Sequence, residues 1–177
     1  MTQVRQSWCN AEQMRPGKTA NRRNPLLFLL RIPVPWVFVL TYVIGVGLEY
    51  LLPFRAGHGA LPGVSVAGGG LFGIGAVIAG WGLLTFRAAR TTTVPGQASS
   101  RLVTWGPYRF SRNPMYIGLI VAYLGEAGIL GQVWPLILLP LTIAYVNWIV
   151  IPVEESKLKE VFGEEYDRYR MRIRRWL

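Results

Sequence analysis

Cysteine, histidine and acid are what this chain has least of. Its 177 residues include one cysteine and one histidine, and nine acidic residues stand against nineteen lysines and arginines. The lone Cys9, in a polar leader, excludes an internal disulfide and carries no information about redox compartment. The lone His58, in a short loop, has no companion ligands at metal-binding spacing, so no metal site is expected. The acid deficit leaves a net charge of +10. Such a charge invites a nucleic-acid partner, but the basic residues flank long apolar blocks and no nucleic-acid-reading module accompanies them. No nucleic acid is expected.

What is abundant is apolar sequence. Hydrophobic residues make up 51% of the chain and mean hydropathy is +0.30, and these residues fall in long runs. Residues 1–25 are polar and basic and read as a flexible tail; they do not read as a cleaved signal peptide, because the run that follows is too long and lacks a small-residue cleavage site. Four apolar blocks follow, at about 26–52, 61–86, 115–130 and 133–152. About twenty apolar residues cross a bilayer, so three of the blocks suffice and the third is short. Arg31 and Glu49 interrupt the first block near its two ends, where both can reach an interface. Gly131-Gln132 supplies a turn between the third and fourth blocks. The expected fold is all-α: a polytopic membrane protein with about four transmembrane helices, the last two a hairpin, in one domain over 26–177.

Lys and Arg set the orientation. Five lie in the N-terminal tail, five in the 87–114 connector and seven in the 153–177 tail, against Arg55 alone on the other side. The positive-inside rule then places both termini and the connector in the cytoplasm. The residues after Val153 read as helix with a break at Gly163, and Arg168, Arg170, Arg172, Arg174 and Arg175 suit an anionic membrane surface. In the second block, Gly68, Gly70 and Gly73 formally match a dinucleotide fingerprint, but without the strand and soluble βαβ unit which that fingerprint requires. Small residues at Gly69, Gly73, Ala76 and Gly80 instead suit close helix packing in lipid.

Two polar clusters border the hairpin. The first, residues 106–118, reads Gly-Pro-Tyr-Arg-Phe-Ser-Arg-Asn-Pro-Met-Tyr-Ile-Gly. Arg109 and Arg112 are three apart and would face the same way on a helix. Pro114 marks a turn-to-helix junction whose free backbone donors would lie beside Arg112 and Tyr116, an end suited to a carboxylate or another anionic group. The second cluster begins at Glu154-Glu155, and paired carboxylates at a membrane boundary call for cations, water or ligand groups. Two accounts stand on the residues alone. The arginines neutralise the glutamates and pin the hairpin, or the set binds a small polar ligand.

The pattern Gly-Pro-Tyr-Arg-x-x-Arg-Asn-Pro-x-Tyr-x-Gly ends at Gly118. After the hairpin it continues as Glu-Glu-x-x-Leu-x-x-x-Phe-Gly-x-x-Tyr-x-x-Tyr, from Glu154 to Tyr169. Over this C-terminal half the chain resembles the superfamily of isoprenylcysteine carboxyl methyltransferases and phospholipid methyltransferases. The resemblance implies S-adenosylmethionine as methyl donor, bound by Tyr108, Arg112, Asn113, Pro114, Tyr116, Gly118, Glu154 and Glu155, with Gly73 and Gly75 contributed from the preceding membrane helix. It further implies Arg109, Arg112, Tyr116 and Glu155 as the catalytic set. Many relatives carry histidine where this chain has Asn113, which cannot titrate and so is assigned no proton transfer. The acceptor implied is lipidic or hydrophobic, entering from the bilayer, with methylation on O, N or S. A sterol-reductase-like enzyme using NADPH, sharing related C-terminal architecture, and a non-catalytic membrane scaffold are the competing readings.

Overall fold

The computed structural model describes residues 34–53, 62–89 and 102–177. The basic tail, Arg31, Arg55, His58 and the 90–101 part of the connector lie outside these residues. Everything described is helix, turn or irregular chain, with no strand among the described residues. Among the described residues six α-helices occur in order: α1 Val34–Leu51, α2 Pro62–Ala88, α3 Pro114–Leu130, α4 Trp134–Tyr145, α5 Ile151–Phe162 and α6 Glu164–Arg172. A 3-10 turn, Gly106–Arg109, precedes α3, and a π turn, Val146–Val150, joins α4 to α5 without a break.

Among the described residues three stretches are long and apolar enough to cross a membrane: Val34–Leu51, Pro62–Ala88 and the continuous Trp134–Phe162. At 1.5 Å per residue, α3 with its 17 residues reaches about 25 Å, just under a hydrocarbon core. Leu40, Val43, Val77, Leu84 and Leu141 are all exposed, as expected of side chains that face lipid rather than water. The protein is an integral membrane protein.

Local chemistry explains where the helices start and stop. Pro114 opens α3 in its first turn, where the N–H missing from proline has no helical partner to lose. Gly131 ends α3 in the left-handed conformation at φ +64°, and Gly163 separates α5 from α6 at φ +50°, a region that favours glycine. Glu49 does more than sit at an interface. Its carboxylate accepts the backbone N–H groups of Val133 and Trp134 at 3.1 and 3.2 Å, capping the positive end of α4 from a neighbouring helix. Thr142 donates to Thr41 at 3.1 Å and Tyr42 to Gln132 at 3.0 Å, so polar bonds also tie α1 to α4 and to the hairpin turn.

The tightest packing joins α2 to α3, antiparallel. A Cβ added at Gly68 would lie 2.7 Å from the Gly125 carbonyl oxygen, and one at Gly75 would lie 2.6 Å from the Gly118 carbonyl oxygen. At Gly82 it would meet the Met115 side chain at 2.6 Å. The stripe is therefore Gly68–Gly75–Gly82. This corrects the expected one: Gly69, Gly73 and Gly80 have open space where a side chain would go. The expected positions lie on other sides of the helix: Gly69 is one residue out of step with Gly68, about 100° of rotation, and Gly73 and Gly80 are two residues out of step with Gly75 and Gly82, about 160°. A helix apolar on every side gives no polar face from which to read that phase.

The π turn also has a local cause. Pro152 has no N–H to return to the carbonyl of Trp148, so the α-helical ladder cannot run through unchanged. The wider turn absorbs the missing bond, and Asn147 sits within it.

Candidate functional site

The two polar clusters meet. Around the start of α3 the chain runs from the 3-10 turn through Phe110–Asn113 into Pro114, and four other parts converge on it: the Gly82 end of α2, the start of α5, α6, and a non-helical strap over residues 173–177. Gly106 adopts φ +62°, and a side chain there would press on Thr85 of α2. Phe86 meets the Tyr108 ring edge-on at 5.0 Å between centroids. Tyr169 donates to the Tyr108 carbonyl at 2.8 Å, so α6 is bonded to the turn.

Glu155 is the centre of charge. Its Oε1 lies 2.8 Å from Nη1 of Arg112, and its Oε2 lies 2.7 Å from Nη2 of Arg175. Nε of Arg175 completes a fork to Oε1 at 3.3 Å. The side chains of Arg112 and Glu155 are only 11% and 14% exposed, so these are largely desolvated charges with one guanidinium in excess. Arg112 also donates to the Tyr166 hydroxyl at 3.3 Å. Its Nε is buried without a protein acceptor.

The neighbouring glutamate has a different environment. Glu154 accepts the Tyr116 hydroxyl at 2.7 Å, and among the described residues no cation lies within ion-pairing distance of it. The adjacent carboxylates thus divide. Glu155 is held by two arginines, whereas Glu154 keeps acceptor lone pairs available to a cationic or hydroxyl-bearing group. Burial pushes the phenols of Tyr108, Tyr166 and Tyr169 above the ordinary tyrosine range, with Tyr169 and Glu154 adding to the rise at Tyr108. All three therefore stay neutral, and Tyr108 is not suited to act as a base at neutral pH.

The structure gathers Tyr108, Arg112, Asn113, Pro114, Tyr116, Glu154 and Glu155 at this junction. Arg109 is not among the paired groups: it is exposed on the 3-10 turn and forms no ion pair with either glutamate. The assumption that Arg109 and Arg112 would face alike fails because they do not share a helix. Gly118 and Gly75 meet each other's helices in the packing seam, and Gly73 faces open space. The glycine of α2 that reaches the site is Gly82, whose missing side chain leaves room for Met115 and the Tyr108 hydroxyl. It lies seven residues, about 10 Å, beyond Gly75. Arg175, read from the sequence as surface charge, and Asn147, not singled out there, also meet at this junction. A cluster of arginines after a membrane helix reads as surface charge, and an asparagine inside an apolar span gives no hint of its partner.

The sequence profile of a family described as phospholipid methyltransferase matches residues 64–165, more than half of the chain. The protein belongs to the phospholipid methyltransferase family. An uncharacterized protein of Haemophilus influenzae is 35% identical over 63 residues, which is 36% of this chain and the whole of that protein. No solved structure matches. In this member of the family the matched segment runs from α2 to the start of α6 and so contains both glutamates, Arg112 and Tyr116. It stops before Tyr166, Tyr169 and the strap.

Proposed function

We propose that this protein transfers a methyl group from S-adenosylmethionine to a lipidic or hydrophobic acceptor at the cytoplasmic face of the membrane. The observation that carries the reading is the division of charge at the junction. Two guanidiniums share the single Glu155 carboxylate and one of them holds an orphaned buried N–H, while next to them Glu154 is bonded only to a tyrosine hydroxyl. Excess positive charge and an unpaired buried donor favour a carboxylate, and a carboxylate without a cation favours an ammonium or hydroxyls. The methionine end and ribose of the donor present those groups, so the residues fit it.

Arg112 is the side chain to hold the donor's carboxylate, through Nε. Glu154 is the side chain to hold its ammonium or ribose hydroxyls, with Tyr116 fixing the orientation of the carboxylate. Asn113 and Pro114 set the start of α3, and Tyr108 packs against the wall made by Phe86 and Gly82. When bound, the donor supplies a methyl group already activated by its sulfonium. The protein's part is then to orient the partners and exclude water. A carboxylate or thiolate acceptor needs no protein base. An amine acceptor must arrive without its extra proton.

The acceptor's approach is apolar. A cleft of about 360 Å³ lined by Pro140, Ile143, Ala144, Asn147, Trp148 and Trp176 lies beside the polar junction on the lipid-facing side of the long helix. Its nearly all-apolar wall suits a hydrocarbon portion, with Asn147 the polar residue in its lining.

Calorimetry on the purified protein with S-adenosylmethionine, its demethylated product and NADPH tests the reading. Binding of the first two without the third is expected. No affinity for either sulfur ligand would sink it, NADPH binding would favour the reductase, and no binding of any probe would favour a scaffold.

A further inference from the structure

We propose that Arg175, on the non-helical strap over residues 173–177, is a positioning residue of the donor site, aligning Glu155 and Arg112 and tying the strap to the start of α3. The proposal rests on the donor-binding reading above.

The strap is bonded at every level. The backbone N–H of Arg112 donates to the Arg174 carbonyl at 3.0 Å. The Arg175 carbonyl accepts two donors, the Ser111 hydroxyl at 3.1 Å and the Asn113 side-chain amide at 3.0 Å. Ser111 is 1% exposed and in turn accepts the Asn113 backbone N–H at 3.1 Å. One residue's carbonyl therefore fixes both residues flanking Arg112, and its guanidinium grips Glu155, the partner of Arg112, from the other side.

The guanidinium is itself held. Its Nη1 lies 3.5 Å from both the backbone and side-chain oxygens of Asn147 in the π turn. Trp176 donates to the same side-chain oxygen at 3.1 Å. A fork-on-carboxylate contact defines the orientation of the carboxylate as well as its charge. With Arg175 in place, Glu155 keeps one oxygen for Arg112, whose Nε is left free for a ligand. Without its guanidinium, Glu155 keeps only the Arg112 contact, and the strap, whose Arg175 carbonyl accepts Ser111 and Asn113, loses the side-chain anchor that holds it against α5 and the start of α3.

This reading differs from the expected one, in which the arginines between 168 and 175 act together on an anionic membrane surface. Arg170 and Arg172 are exposed, whereas the Arg175 side chain is only 31% exposed. Surface attraction depends on the number of charges. Positioning depends on one.

The test compares donor affinity by calorimetry in full-length Arg175→Ala, Arg175→Lys, Arg170→Ala and Arg172→Ala. Arg175→Ala is expected to weaken S-adenosylmethionine binding on the order of 10- to 100-fold. Arg175→Lys keeps the charge but not the fork and should fall between it and wild type. Arg170→Ala and Arg172→Ala should stay within about twofold of wild type. In a Glu155→Gln background, Arg175→Ala should add less than about threefold, because the two act as one unit. Equal losses in all the arginine variants, an unchanged Arg175→Ala, or full additivity with Glu155→Gln would each overturn the proposal. Should Arg175→Ala fail to fold, the lysine variant and the cycle built on it decide. Hydrogen exchange without donor separates this proposal from the donor reading: Arg175→Ala, unlike Arg172→Ala, should speed exchange of the amides at 112–117. Faster exchange in a protein that binds no donor would leave the strap in place and refute the donor, whereas unchanged exchange refutes the strap.

Discussion

Helix α3 is held in two opposite ways along its length. Over its middle, α2 approaches so closely that the contact is backbone to backbone, through Gly68, Gly75, Gly118 and Gly125. At its start the partners are long polar side chains that reach across gaps, from Arg112, Tyr116, Glu154, Glu155 and Arg175. The first region works because atoms are missing and the second because charges are present. In lipid, where apolar burial does not drive helices together, the seam supplies fixed geometry through close packing. The junction supplies groups that can exchange partners with a ligand. The seam should therefore be broken by adding atoms and the junction by removing them, with stability and donor binding as separate readouts.

Gly75→Val should have the largest effect. The added Cβ would press on the Gly118 carbonyl and on the backbone of Ala122, atoms that cannot turn aside as a side-chain end can. The expected cost is about 3 kcal/mol or more, seen as loss of a monodisperse, thermally cooperative protein in detergent. A well-folded Gly75→Val with wild-type melting would show that the helices do not approach this closely.

Glu155→Gln comes next, with stability and binding both affected. It leaves Arg112 and Arg175 facing a neutral amide in a site where Glu155 is 14% exposed. Removing one partner of a largely buried pair costs about 3–5 kcal/mol of stability; with Arg112 no longer held in place, donor affinity should also fall, on the order of 30-fold in calorimetry, while the helical circular-dichroism signal persists. Arg112→Ala should lose donor binding to a similar degree. Wild-type affinity in both would show that the two clusters do not form one pocket. Glu154→Gln should cost less, about tenfold, because its bond to Tyr116 can survive as an amide contact. Loss of binding in Glu154→Gln larger than in Glu155→Gln would reverse the roles given to the two carboxylates.

Much of this architecture was legible because proline and glycine punctuate it. Pro114, Gly131 and Gly163 stand at helix ends in the structure for the reasons their chemistry dictates. The meeting of the two clusters was legible too, since a hairpin returns its ends to one side. Three things were not. The phase of the glycine stripe needs a polar face for reference, and α2 has none. The cap that Glu49 places on α4 depends on a contact 84 residues away in sequence, and a single acid near a helix end looks the same whether it meets water or a backbone N–H. The role of Arg175 was hidden by its company, because five arginines in eight residues look like one surface feature.

The smallest effect belongs to Gly73→Ala, and it sharpens the comparison because it lies two residues from the most damaging site. No atom lies within 4 Å of where its Cβ would go. The exchange should be neutral or stabilise the helix by up to about 0.5–1 kcal/mol, since alanine has less backbone freedom to lose. Donor affinity should not change. The pair also tests the resemblance-based assignment of Gly73 and Gly75 to the cofactor. If the glycines serve the seam alone, Gly75→Ala lowers the melting temperature and Gly73→Ala alters neither readout. If Gly73→Ala instead weakens donor binding without affecting melting, the donor reaches along α2 past Gly82 and the pocket is deeper than the junction. The opposite phases of two neighbouring glycines make that outcome hard to confuse with general damage to the helix.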